Sequence, residues 1–370
     1  MAIAQQSFNV PGNVIDHSPK SSGRYIGSPS ICILSNGHYL ASHDYFGKNS
    51  NERTAGIVKV FISTDKGITW QQTAELNGQY WSKLFTHKNK VYILGTTKEY
   101  GDLVIRRSND NGYTWSEPTD SLHGLLRKGN FHCAPTPVIE HNGELWRAVE
   151  DAMGPIPGWG KMFEAFVMHI SVDADLLNAA NWRYTNPLPY DSTYLNGKFG
   201  GWLEGNVLVT PDNSIKNILR VHYVQKGEEK AAITDVSTDG NTATFDRTTG
   251  FINFPGGAKK FSIRYDAKTK LYYTLSNYVP AEYENNNQER VRNTLALCSS
   301  PDLRTWKVNQ IVLQSANTAH HGFQYADWLF DGDDIIAVVR TAYDDAEGGA
   351  DNQHNANYLT FHRIKKYRKK

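Results

Sequence analysis

Side chains able to do chemistry recur where short apolar runs of this chain begin and end. His17 and Arg24 precede the run "SICIL", and His43 and Asp44 follow its return in "ASHDYFG". "AVEDAMG" carries Glu150 and Asp151, "GGWLEGN" carries Trp202 and Glu204, and "LRVHY" carries Arg220, His222 and Tyr223. Then come Arg264, Asn277 and Tyr278. His320, His321 and Gln324 lie in "AHHGFQYADW", Arg340, Asp344 and Asp345 in "VVRTAYDD", and His354 and Asn355 in "DNQHNANY". Arginines, carboxylates and histidines brought to one place suit an anionic sugar. The guanidinium fork grips a carboxylate through paired charge-assisted hydrogen bonds. An imidazole works as general acid or base near neutral pH. Two carboxylates are the ordinary glycosidase alternative, with Asp44, Glu150 and Glu204 as candidates. The histidine spacing matches no standard zinc pattern, so no catalytic metal is expected. A structural calcium ion is the one cofactor left open.

These residues need a scaffold that gathers strand ends around one point. Such a scaffold is announced by a repeat. "STDKGITW" ends at Trp70, and "SNDNGYTW" ends 45 positions later at Trp115. Weaker copies are "SSPDLRTW" ending at Trp306, "SVDADLLNAANW" ending at Trp182 and "STDGNTATF" ending at Phe245. The spacing is that of one four-stranded propeller blade with its loops. Within the repeat the aspartate accepts backbone N–H groups, the glycine takes a positive φ, and the tryptophan opens the next strand. Hairpins recur between the copies, as in "SICILSNGHYLAS" and "PVIEHNGELWRAV", with Asn36-Gly37 and Asn142-Gly143 as turns. Six blades can be counted. The expected fold is all-β, one propeller over residues 11–370. Residues 1–10 form a short tail.

Bulk properties exclude several functions. The net charge is +1 with 21% charged residues, which gives no case for nucleic acid or an acidic membrane surface. No run of 18 apolar residues exists to span a membrane. Three cysteines give no disulfide framework. Nine Trp, 20 Tyr and 15 Phe suit both an all-β core and sugar stacking. "MAIAQQSF" reads as the end of a processed signal peptide, so a periplasmic, secreted or cell-surface protein is expected. A monomer is the default for a closed propeller.

The repeated turn resembles the Asp box of sialidase-type propellers, where it lies on the face away from the usual active site. Sialidases also carry an arginine in a Phe/Tyr-Arg-Ile-Pro motif at the entry of the first blade, and a Tyr/Glu nucleophile pair. Here "YIGSPSI" puts Ile26 or Gly27 at the arginine's place, and no such pair stands out. Sialic acid hydrolysis is therefore set aside. "HSPKSSGRYIGSPSICILSNGHYLASHDYFG" and "HHGFQYADWLFDGDDIIAVVRTAYDD…HNANYLTFHRI", with the Asp boxes and "FPGGAKKFSIRYD" between them, are similar to glycoside hydrolase family 145. That resemblance implies an exported, seven-bladed propeller. Its implied activity is removal of terminal α-L-rhamnose linked 1,4 to glucuronic acid on arabinogalactan-type plant glycans. It also implies catalysis by one histidine. His43 and His17 are the candidates on the channel face, and His38, beside the Asn36-Gly37 turn, is the candidate on the opposite face. Substrate contacts would come from Arg24, Asp44, Glu150, Trp202, Glu204, Arg220, Tyr223, His320, His321, Gln324 and Arg340. Two other classes fit the same residues: a lyase abstracting the proton α to a uronate carboxylate, and a glycan-binding propeller without turnover.

Overall fold

The computed structural model describes residues 8–223 and 225–369. Residues 1–7, on which the export reading rests, lie outside the described residues. No α-helix occurs among the described residues, and the antiparallel strands form six blades. Blade one starts with Tyr25–Ile26 and Ser30–Ile33 and continues through Tyr39–Phe46, Ile57–Ser63 and Gln71–Asn77. Blade two comprises Tyr80–His87, Lys90–Thr96, Gly101–Ser108 and Leu125–His132. The last of these crosses over, pairing Phe131 and His132 with Asp151 and Glu150 of blade three. Blade three is Ile139–His141, Glu144–Asp151, Glu164–Ser171 and Arg183–Tyr184. Blade four is built on Trp202–Val209, Ile215–Val221 and Lys230–Val236, and blade five on Ser262–Asp266, Leu271–Ser276, Thr294–Ser300 and Lys307–Gln314.

Blade six holds Gly322–Asp331, Asp334–Ala342 and Tyr358–Ile364, with the N-terminal strand Asn13–His17 as its outer member. The ring is thus closed by sewing the two ends of the chain into one sheet. Among the described residues the seventh blade implied by the family resemblance is not formed, because the N- and C-terminal strands complete the sixth.

Apolar contact between neighbouring sheets makes the core. Ile31, Tyr39 and Ala41 of blade one pack with Ile336, Val338, Leu359 and Phe361 of blade six. The Asp boxes seal these seams. Asp65 Oδ1 accepts from the backbone N–H of Ile68 (3.1 Å) and Thr69 (2.9 Å), and Ser63 Oγ accepts from Gly67 N–H (2.8 Å). Gly67 has φ +91°, and a Cβ there would stand 2.2 Å from the Phe361 ring of blade six. Trp70 lies against the same phenylalanine, ring centroids 5.6 Å apart. The box of blade two repeats the device: Gly112 leaves room for Leu40 of blade one. Lys66 donates to Gly37 O (2.8 Å), so the Asn36-Gly37 hairpin and the Asp boxes share one face.

The opposite face gathers the starts of the inner strands and the ends of the second strands. There the inner strands of blades two, four and six each slip register, at Tyr80/Lys83, Leu203/Asn206 and Gln324/Asp327. Within each slip one non-glycine residue is left-handed: Trp81 (φ +47°), Glu204 (φ +51°) and Tyr325 (φ +57°). Such bulges re-aim a side chain, and residues held there cluster at functional sites.

Candidate active site

All three bulged residues line one cavity of about 400 Å³ on that face. The Tyr325 hydroxyl donates to Glu204 Oε1 at 2.9 Å. Arg220, from the end of the second strand of blade four, binds Glu204 Oε2 at 3.0 Å. Burial alone would raise the Glu204 carboxyl, but Arg220, His132 and Tyr325 together hold it below the usual range. Burial and the neighbouring Glu204 raise the Tyr325 phenol, against the pull of three arginines. The phenol therefore keeps its proton, which it donates to Glu204.

Those arginines are Arg220, Arg340 and Arg292, from blades four and six and from the segment entering the third strand of blade five. Arg292 Nε donates to Glu289 O (2.9 Å) and Nη1 to Gln324 Oε1 (2.7 Å). Burial and the charges of Arg220 and Arg340 push its guanidinium down to about 9. Arg340 Nη2 donates to His354 O (2.6 Å), and its guanidinium covers the Phe46 ring at 4.4 Å. His222 binds Glu289 (2.6 Å), with the half-exposed Trp159 edge-on at 4.9 Å.

The other wall holds Asp44, Trp81, Tyr100 and His132. Asp44 is buried and accepts from Ser28 N–H and Trp81 N–H, each at 2.6 Å. Burial raises its carboxyl, partly offset by those two donors. His132 Nδ1 donates to Glu150 Oε2 at 2.8 Å, and Glu150 Oε1 accepts from Gly205 N–H at 3.2 Å.

Of the residues singled out from sequence, the cavity brings together Asp44, Glu204, Arg220 and Arg340, with His222 and His354. Glu150 and Gln324 stand one step behind, holding His132 and Arg292. The three catalytic histidine candidates lie elsewhere. His43 is fully buried in the seam between blades, between Asp16 Oδ2 (2.8 Å) and Asp44 O (2.9 Å). His17 pairs with Asp345 (3.0 Å) and stacks on Tyr358 outside the cavity. His38 is on the Asp-box face beside Asn36. Arg24 donates to Asn49 O, Trp202 is buried in blade four with its indole on Pro189 O, and Tyr223 donates to Glu228. His320 meets Ala350 O, and His321 is stacked on Tyr343. None of these five residues lines the cavity. The sequence reading missed Tyr325, Arg292, His132 and Trp159. Among the described residues no group of three or more His, Cys, Asp or Glu could hold a metal ion. No described helix is long and apolar enough to cross a membrane.

No protein-family model and no curated protein matches the chain. Solved structures do. The α-L-arabinanase of Penicillium chrysogenum, complexed with arabinobiose, matches at 14% identity and TM-score 0.59, over 95% of this chain and 98% of that one. A mutant α-L-arabinofuranosidase of Fusarium graminearum in complex with an iminosugar inhibitor matches at 12% and 0.62, over 96% and 97%. A Hadza microbial sialidase matches at 14% and 0.62, over 96% of this chain and 68% of that one. The fold is a sialidase-like propeller. At these identities the likeness is one of fold, and all three of these neighbours are glycosidases.

Proposed function

We propose that this chain is a glycoside hydrolase acting on a carboxylated glycan, with Tyr325 as nucleophile and Glu204 as its base. The observation that carries the reading is the Tyr325–Glu204 hydrogen bond at 2.9 Å within a ring of three arginines. Glu204 takes the phenol proton as the Tyr325 oxygen bonds to the anomeric carbon and the glycosidic C–O bond breaks. Water then hydrolyses the glycosyl-tyrosine, and the configuration is retained over the two displacements. A neutral nucleophile suits an anionic sugar, because an ionised carboxylate approaching the same carbon would be repelled. The guanidiniums supply the charge that holds the sugar's carboxylate.

The Tyr/Glu pair removes one of the two grounds on which sialic acid was set aside. The other stands: Gly27 occupies the entry to blade one, and a Cβ there would lie 1.7 Å from Asp44 Oδ1. No arginine fits, so the carboxylate clamp is drawn from blades four, five and six. Because the arginines surround the nucleophile itself, the geometry favours a sugar whose carboxylate adjoins the carbon attacked. The family resemblance instead puts a rhamnosyl-glucuronate cap first, and His132 on the cavity wall is the observation in its favour. The test is incubation with a rhamnosyl-glucuronate disaccharide and with aryl glycosides of carboxylated sugars, reading free sugar and ultraviolet absorbance. Turnover that falls about 10³-fold in Tyr325→Phe and Glu204→Gln supports the reading. Absorbance from an unsaturated uronate would replace hydrolysis by elimination, and binding without turnover would leave a glycan-binding propeller.

A further inference from the structure

The Tyr325–Glu204 couple accounts for nucleophile and base, and leaves the leaving-group oxygen without a proton donor. Asp44 is a carboxyl on the opposite wall, and its geometry is wrong for the task. Both of its oxygens are taken by backbone N–H groups at 2.6 Å, from Ser28 and from the strained Trp81. A protonated Asp44 would have to give up one of them. It is built as a fixed acceptor that anchors the bulge of blade two.

His132 is built the other way. Its ring is clamped flat on Phe163 (centroids 4.5 Å, 12°) and edge-on to Trp81 (4.6 Å). One edge is fixed: Nδ1 meets Glu150, which is wholly buried and tied in turn to Gly205 N–H. No described residue bonds to Nε2, on the edge away from Glu150, and His132 lines the cavity. A buried carboxylate behind Nδ1 fixes the tautomer and stabilises the imidazolium. The strand that carries His132 is the one that crosses from blade two into blade three, which is how an outer strand reaches the cavity.

We propose that His132 is the acid that protonates the leaving oxygen, with Glu150 as its positioning residue. The inference rests on the hydrolase reading above. In the first step the proton on Nε2 passes to the glycosidic oxygen as the C–O bond breaks. In the second, the neutral Nε2 accepts a proton from the water that attacks the glycosyl-tyrosine. Glu150 lies behind the ring and Tyr100 beside it, and Glu204, Asp44, Glu99 and Arg220 share its cavity.

The experiment compares two glycosides of one carboxylated sugar, one with a nitrophenyl leaving group and one with a second sugar. General acid catalysis is worth roughly 10²- to 10⁴-fold, and an activated phenol does not need it. His132→Gln should therefore lose 10²- to 10⁴-fold on the disaccharide and less than about tenfold on the aryl glycoside. Glu150→Gln should show the same split, reduced in size. Added imidazole should restore disaccharide turnover to His132→Ala, which a folding defect would not allow. Equal losses on both substrates, or the split appearing in Asp44→Asn in place of His132→Gln, would overturn the assignment. Failure of the parent protein on both substrates would overturn the hydrolase reading along with it.

Discussion

Arg292→Met should make the ligand-free protein more stable while destroying its hold on the substrate. The guanidinium is 4% exposed and its hydrogen bonds go to neutral acceptors, Glu289 O and Gln324 Oε1. Burial, with Arg220 and Arg340 nearby, brings it down to about 9. The fall from an ordinary guanidinium to that value corresponds to about 5 kcal/mol held against the fold. Methionine removes the charge and keeps the length of the side chain. It also strands two acceptors, at a cost of about 1–2 kcal/mol each. The balance is a gain of about 1–3 kcal/mol, or a rise of about 1–4 °C in Tm for a chain of 370 residues. Below pH 9 the arginine is charged in the folded and unfolded states alike, so the gain is fully present there. Above pH 9 the folded guanidinium sheds its proton before the unfolded one does, and the gain fades. Scanning calorimetry at pH 7 and pH 10 reads both effects. A carboxylated sugar at about 100 times its Kd should add about 2.7 kcal/mol to the parent and nothing to the variant. The reasoning is refuted if Arg292→Met melts below the parent at pH 7, or if its advantage is as large at pH 10.

Two further outcomes follow from the same structure. His43→Ala should cost about 2–4 kcal/mol in chemical denaturation, since it empties a fully buried site and strips Asp16 of a partner. Turnover per folded molecule should stay unchanged, which separates a seam residue from a catalytic one. Asp65 is held at about 2 by the Thr69 hydroxyl and N–H groups of its turn. Its contribution is present above the ordinary carboxylate range and is lost as pH falls through about 2. Acid unfolding should therefore begin at higher pH in Asp65→Ala, as circular dichroism would record.

The fold was legible because its signals are local. An Asp box is eight residues long, and its hydrogen bonds are nearly all internal, so it reads the same wherever it occurs. The two hairpin turns are of the same kind. Asp44, Glu204, Arg220 and Arg340 were legible because they stand at strand ends, where a propeller exposes side chains on one face. Tyr325 was hidden by a single register slip. Strict alternation would turn one of Gln324 and Tyr325 toward the cavity, and a one-residue shift exchanges their places. The bulge at Gln324/Asp327 makes that shift, so Gln324 holds Arg292 from behind and Tyr325 faces the cavity. Arg292 lies in a connection with no periodicity to read. His132 lies on an outer strand, which by position should be far from the axis, and only the crossing into blade three brings it in. The resemblance carried the propeller and misplaced its blade count.

The three bulges explain why this cavity is assembled before any ligand arrives. Each left-handed residue costs roughly 1–3 kcal/mol and persists only where its surroundings hold it. Trp81 is held by Asp44, which takes its backbone N–H; Glu204 is held by Arg220; and Tyr325 is held by Glu204. The restraints tie blade one to blade two and blade four to blade six, through strands and not through loops. Side chains fixed in this way need no closure to align, which is what a preorganised site requires. The same chain of restraints decides what the cavity can become. Asp44 must stay to hold Trp81, so Gly27 must stay a glycine, and an arginine at the entry to blade one is shut out. Changes of substrate are left to the rim, where Trp159, Glu52 and Glu99 meet the cavity without holding any of the three strained residues.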